Sequence, residues 1–209
     1  MANMQTGIFK GRKTTMSQNN TQARTVSTVD HGKLDIKALV LLAVLLAAGF
    51  ILNFTVGKAI SGLTGGAISP EFIISAFCLT ILVVRPNVGQ ALVIGLISAA
   101  VIQITTTSPF VDFAAEGLAA MLMAGLVLAF MRGDAKKSVP LAAVFTFVTT
   151  AVSGVIFMVI KLALFGFSAE MVAALPAAML PVIFATAAFN GVLVAALYLP
   201  IRAALKVTD

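Results

Sequence analysis

The 209-residue chain is 60% hydrophobic and only 11% charged, with a mean hydropathy of +1.06. A soluble domain carries about 25% charged residues, so this balance excludes that class and points to a polytopic membrane protein. The net charge of +6 and pI near 9.8 follow from a one-sided placement of lysine and arginine, which accounts for the basicity without a nucleic-acid partner.

Residues 1–35 are polar, rich in Ser, Thr, Asn and Gln, and lack apolar periodicity, which predicts a disordered basic tail. That tail is too polar, and the apolar run behind it too long, for an ordinary cleaved signal peptide; Met16 is a second candidate start. Residues 36–206 read as one all-α membrane domain. Its spans are bracketed by loss of charge, because a Lys, Arg or Asp at a helix centre costs roughly 2.5 to 3.5 kcal/mol. In chain order they are Ala38 to Gly57, a Gly-rich loop and a second span from about Ser69 to Val84, then Pro86 to Val111, Phe113 to Met131, Ser138 to Ile160 and Met171 to Ile201. In the last interval Pro176 and Pro181 suggest that Met171 to Pro181 is an outer interfacial approach and the remainder one helix.

The expected fold is therefore a six-transmembrane-helix bundle. Twelve of the fourteen basic residues fall before Ala38, at Arg85, at Arg132, Lys136 and Lys137, or at Arg202 and Lys206, whereas only Lys58 and Lys161 fall on the opposite side. The excess marks the cytoplasmic face, so both termini are expected inside and loops one, three and five outside.

Several chemistries are missing from the inventory. The one histidine, His31, is in the tail, and neither a Gly-x-x-x-x-Gly-Lys loop nor a Gly-x-Ser-x-Gly turn is present. An enzyme, a resident cofactor and a histidine metal site are not expected. The single cysteine, Cys78, lies within the second span and reads as a small packing residue.

Polar groups collect at the outer end, and ionisable residues in a membrane normally face a cavity or a partner. Asn53 ends span one, Glu71 opens span two, Gln103 with Thr105, Thr106 and Thr107 closes span three, and Asp112 and Glu116 open span four. Eight of the fifteen phenylalanines fall in the same third: Phe50, Phe54, Phe72, Phe110, Phe113, Phe157, Phe165 and Phe167. Acids and amides beside aromatic rings describe a cup for a small aromatic or heterocyclic ligand. Simpler roles are also open. Ser69, Pro70 and Glu71 suit a plain helix start, Asp112 suits a cap, the phenylalanines suit a lipid interface, and Gln103 and Asn190 suit interhelical hydrogen bonds. Glu116 lies one turn deeper than Asp112 on the same face, where capping no longer explains it, and is the strongest ligand candidate. Lys58 and Lys161 suit surface charges, partners for an acid, or a ligand carboxylate. Ala43 and Ala47 form a small-x-x-x-small pattern that permits close helix approach, and Phe50 and Phe54 continue its stripe.

A chain of this size with six spans, both ends inside, the Ala43-x-x-x-Ala47 pattern and an outer acidic and aromatic pocket resembles the S components of energy-coupling factor (ECF) transporters over residues 36–206. Gly65-Gly66 before Pro70-Glu71, the Arg85-Pro86-Asn87 turn, Leu92 to Ser98, Thr105-Thr106 and Ser153 to Phe157 look like the bacterial tryptophan-transport family. The Phe110-Val111-Asp112-Phe113 segment is shorter than that family's pattern. The resemblance implies a solute-capture subunit of the bacterial inner membrane, embedded in the lipid bilayer, that binds its ligand from outside and topples within a complex of a membrane coupling subunit and two ATPase subunits. Ala43 and Ala47 would mark the coupling-subunit contact, and the segment from Gly57 through Gly62 to Gly66 would serve as a lid. For tryptophan, the indole would stack on Phe50, Phe54, Phe72 or Phe113 and Glu116 or Glu71 would take the ammonium. Lys58, Lys161 or the N–H groups at the start of span two would take the carboxylate. The alternatives are a vitamin (thiamine, riboflavin, biotin or pyridoxine type), an autonomous proton-coupled carrier, or a channel or structural membrane protein.

Overall fold

The computed structural model describes residues 36–106, 108–131, 138–164 and 168–206, and among these every regular element is a helix. The expectations placed on the tail and His31, on Arg132, Lys136 and Lys137, and on Thr107, Phe165 and Phe167 lie outside the described residues. Helix α1 (Ile36–Leu52) runs through a π-helical turn (Asn53–Gly57) into α2 (Lys58–Leu63). There follow α3 (Phe72–Val84), α4 (Val88–Ile102), α5 (Val111–Phe130), α6 (Val139–Leu164) and α7 (Ala169–Ala204). Four helices are long and apolar enough to cross a membrane: the continuous Ile36–Leu63 rod, α5, α6 and α7.

The two remaining helices are short. With 13 residues in α3 and 15 in α4, they extend about 20 and about 22 Å, against about 30 Å of hydrocarbon. Yet α3 is the centre of the molecule. All its residues from Phe72 to Val83 are buried, and it packs on α1, α4, α5, α6 and α7. A helix apolar on every side is suited to this place, where neighbours cover every face. Cys78 is in this core, fully buried, as its packing role requires.

Close helix approach is set by glycines. A Cβ on Gly95 of α4 would stand 2.5 Å from the Glu116 carbonyl oxygen and 2.8 Å from Ala120 Cβ of α5. Gly154 and Gly191 serve the α6–α7 contact in the same way, meeting Ile183 Cγ2 at 2.9 Å and the Ala143 carbonyl oxygen at 2.9 Å. These are the small-residue contacts on which apolar helices pack when no hydrophobic difference between lipid and protein draws them together.

Three sequence-derived boundaries move. The first rod continues helically past Gly57 to Leu63, so the turn after it begins only at Thr64, with Gly65 and Gly66 at positive φ angles of 60° and 83°. Gly57 itself is buried in the π turn against the Pro70 carbonyl. Span two starts at Phe72 rather than Ser69, and its first N–H is capped by Asn53 of another helix, not by Ser69. The last interval is one 36-residue helix with Pro176, Pro181 and Pro200 inside it. Proline removes one backbone donor, and in apolar bundles neighbouring groups commonly absorb that loss. The capping box of α4 (Asn87 accepting from Gln90 N, Asn87 N donating to the Gln90 side chain) fixes the turn after Arg85, which takes a left-handed φ of 53°.

Gly95→Ala is expected to lower the thermal unfolding midpoint in detergent, with a cost of about 1 to 3 kcal/mol for overpacking. Gly125→Ala, whose Cβ would meet nothing within 4 Å, should leave the midpoint unchanged or raised.

Candidate functional site

Because α3 and α4 stop short, the bundle is incomplete at one end, and a cavity of about 370 Å³ occupies the space. Its wall takes Asn53 from the end of α1, Ser69 and Glu71 before α3, Thr105 and Thr106 after α4, Asp112 and Glu116 from α5, Ser153 and Phe157 from α6, and Met179 and Thr186 from α7. Successive helices therefore run in alternate directions, presenting C-terminal and N-terminal ends to the cavity by turns. The volume falls in the small-molecule range of about 300 to 1,000 Å³.

The segment leading into α3 forms one side of the cavity as an extended strap, and side chains from other helices satisfy its backbone. Ser69 N donates to Thr186 Oγ1 (3.3 Å), which donates back to the Ser69 carbonyl (3.0 Å). Asn190 Nδ2 donates to the Glu71 carbonyl (3.2 Å) and to Thr150 Oγ1 (3.4 Å). Phe72 N donates to Asn53 Oδ1 (2.8 Å), while Asn53 Nδ2 donates to Glu71 Oε2 (3.4 Å). Asn53 opens the π-helical turn, a widened turn of a kind often found at functional positions.

The entry to α5 is built differently. Phe110, three-quarters exposed, takes a left-handed φ of 67°, and its N–H donates to Gln103 Oε1 at 3.0 Å. The other end of the same amide donates to Asp112 Oδ2 at 3.2 Å. Gln103 thus holds Asp112 in place from behind rather than facing the cavity. A bulky residue at positive φ costs of order 1 to 3 kcal/mol, which the amide clamp and the Phe110–Phe113 ring stack help to hold.

Glu116 is the deepest acid. It is 4% exposed; Ser153 Oγ donates to its Oε1 at 2.9 Å, and its Oε2 has no hydrogen-bond partner. Three of the chain's eight acids, Glu71, Asp112 and Glu116, meet at this one cavity, and the described lining carries no basic residue. Among the described residues no set of His, Cys, Asp or Glu side chains has the makings of a metal site.

Sequence expectation and structure part over the aromatic rings. Phe157 lines the cavity, whereas Phe50, Phe54, Phe72 and Phe113 are not in its wall. Phe50 and Phe54 pack on each other at 5.0 Å, Phe72 is buried edge-on against Phe189 at 5.9 Å, and Phe113 stacks on Phe110. Lys58 also lies outside the wall, 4.6 Å over the Phe54 ring. Lys161 is likewise absent from the wall and stands 5.5 Å over the Phe157 ring. The N–H at the start of α3 that might have met a ligand carboxylate is already capped. The residues that sequence reasoning missed are Thr150, Ser153, Thr186 and the aliphatic wall of Ile74, Met179 and Ile183. One signal was present. Ser153, Phe157 and Lys161 recur at four-residue spacing and so share a face of α6.

No protein-family description, curated protein or solved structure matches this chain.

Asn53→Ala removes both the α3 cap and a donor to Glu71, and is expected to destabilise the protein by about 1 kcal/mol. Unfolding in detergent, followed by thermal shift, checks this; an unchanged midpoint would show that the strap does not depend on the cap.

Proposed function

We propose that the chain is the solute-capture subunit of an ECF-type importer, a six-span protein of the bacterial inner membrane with both termini cytoplasmic. It binds a small aromatic or heterocyclic nutrient, with tryptophan the first candidate and a vitamin of the thiamine, riboflavin, biotin or pyridoxine type the alternative. The observation that carries this is the cavity itself. It is a single chamber of small-molecule size at one end of an apolar bundle, walled by Phe157 and aliphatic side chains and furnished with three acids. On the partition of lysine and arginine, that end faces outward.

The exposed face of α1 supports a partner within the membrane. Ala43, Val44, Ala47 and Ile51 are exposed, and the rod containing them is the least covered of the four long helices. Small residues on an uncovered stripe suit close packing by another membrane helix, as a coupling subunit would supply. The two ATPases of such a complex would provide the energy that nothing in this chain's motifs provides.

A second reading draws on the same buried acid. A buried carboxyl at Glu116 with one oxygen unpartnered would suit an ion-coupling group in an autonomous carrier.

The two are separable by reconstitution. Purified protein is expected to bind tryptophan saturably in detergent, yet to take up none when reconstituted alone, whatever pH gradient is applied. Uptake by the protein alone, driven by a proton gradient, would contradict the capture-subunit reading.

A further inference from the structure

We propose that the cavity recognises its ligand through a protonated amine or other cationic nitrogen, seated on Glu116 Oε2 and the Glu71 carboxylate, and that a carboxylate on the ligand contributes little to affinity. This rests on the reading of the cavity as a solute site and narrows its ligand class to aromatic or heterocyclic amines. Four features of the cavity carry it.

Glu116 is nine-tenths buried and lines the cavity with one carboxylate oxygen satisfied by Ser153 and the other without a partner. A buried acceptor left open is costly unless something arrives to fill it. An ammonium group has three donors and no acceptor, which is the complement such a site requires. Glu71 lines the same cavity as Glu116, so a cationic group seated on Glu116 has a second carboxyl group in the same chamber to accept its hydrogen bonds.

Asp112 is differently placed. It opens α5, one turn above Glu116, and accepts from Gln103 Nε2 at 3.2 Å. Of the three acids Glu116 is the one with a buried oxygen that has no partner, and Glu71, whose contact with Asn53 is the longer at 3.4 Å, is the second seat.

Several groups that could hold a carboxylate are engaged elsewhere. Phe72 N is capped by Asn53 Oδ1, Asn53 Nδ2 donates to Glu71, Asn190 Nδ2 donates to the Glu71 carbonyl and Thr150, and Lys58 lies over Phe54 outside the wall. The described lining offers no basic side chain.

Depth orders the two poles. Ser153, the partner of Glu116, lies one helical turn below Phe157 on α6, about 6 Å further in. The cationic pole therefore enters first and the ring rests above it, against Phe157 and Ile183.

Calorimetry on the full chain in detergent tests this with three indoles: tryptophan, tryptamine (amine without carboxylate) and indole-3-propionate (carboxylate without amine). Tryptamine is expected to bind within about tenfold of tryptophan, and indole-3-propionate to lose roughly 100-fold, the scale of a charged hydrogen bond. Glu116→Gln is expected to unfold at the wild-type temperature and to lose the preference for the amine. Binding of indole-3-propionate with tryptamine silent would overturn the inference while leaving an indole solute site intact. Should all three indoles fail, thiamine and biotin distinguish the two failures. Glu116-dependent binding of cationic thiamine supports the amine site and removes tryptophan as the cargo, whereas binding of biotin alone overturns the amine site. Silence from all five compounds overturns both.

Discussion

A backbone that leaves helical form inside an apolar bundle must find its hydrogen-bond partners within the protein, because lipid offers none. Everything about the cavity follows from how residues Ser69 to Phe72 meet that demand. Three side chains from two other helices, Asn53, Thr186 and Asn190, supply donors and acceptors to the strap. Their support lets α3 begin late without orphaned groups. The late start of α3, with the early end of α4, leaves the space that becomes the cavity, and it sets Glu71 on the wall facing Asp112 and Glu116.

The same economy explains how a carboxylate is kept deep in the bundle. Gly95 brings α4 against the Glu116 backbone, fixing α5 from one side, and Ser153 of α6 fixes the side chain from the other. Glu116 is held by helices on both flanks, Asp112 in the first turn of α5 by the Gln103 amide, and Glu71 sits on the strap. The three acids thus reach one chamber from three separate supports.

Much of this was legible in the chain. Charged residues are so scarce in the apolar stretches that Glu71, Asp112 and Glu116 announce themselves, and one-turn spacing was enough to place Glu116 below Asp112. The helix ends were less legible. Ser69-Pro70-Glu71 has the composition of a helix start, yet the cap comes from Asn53, eighteen residues before Glu71, and no local pattern encodes a cap donated by another helix. Pro176 and Pro181 looked like breaks, because a sequence shows the missing donor and not the neighbours that tolerate it. The phenylalanines misled for a related reason. Phe50, Phe54, Phe72 and Phe113 pair with other rings instead of facing the cavity. In a stretch where nearly every residue is apolar, amphipathic periodicity is too weak to say which face points inward. Thr150, Ser153 and Thr186 escaped notice because small hydroxyl residues are ordinary in packed membrane helices.

The central claim is that this cavity opens to the outer side and holds the solute. Labelling of a single cysteine at position 106 (Thr106→Cys in a Cys78→Ala background) with a membrane-impermeant maleimide tests it most directly, in right-side-out vesicles with and without tryptophan. The account predicts rapid labelling from outside that slows when tryptophan is added. Labelling only in inside-out vesicles would contradict the orientation, and outside labelling at the same rate with ligands that bind and ligands that do not would contradict the cavity as the solute site.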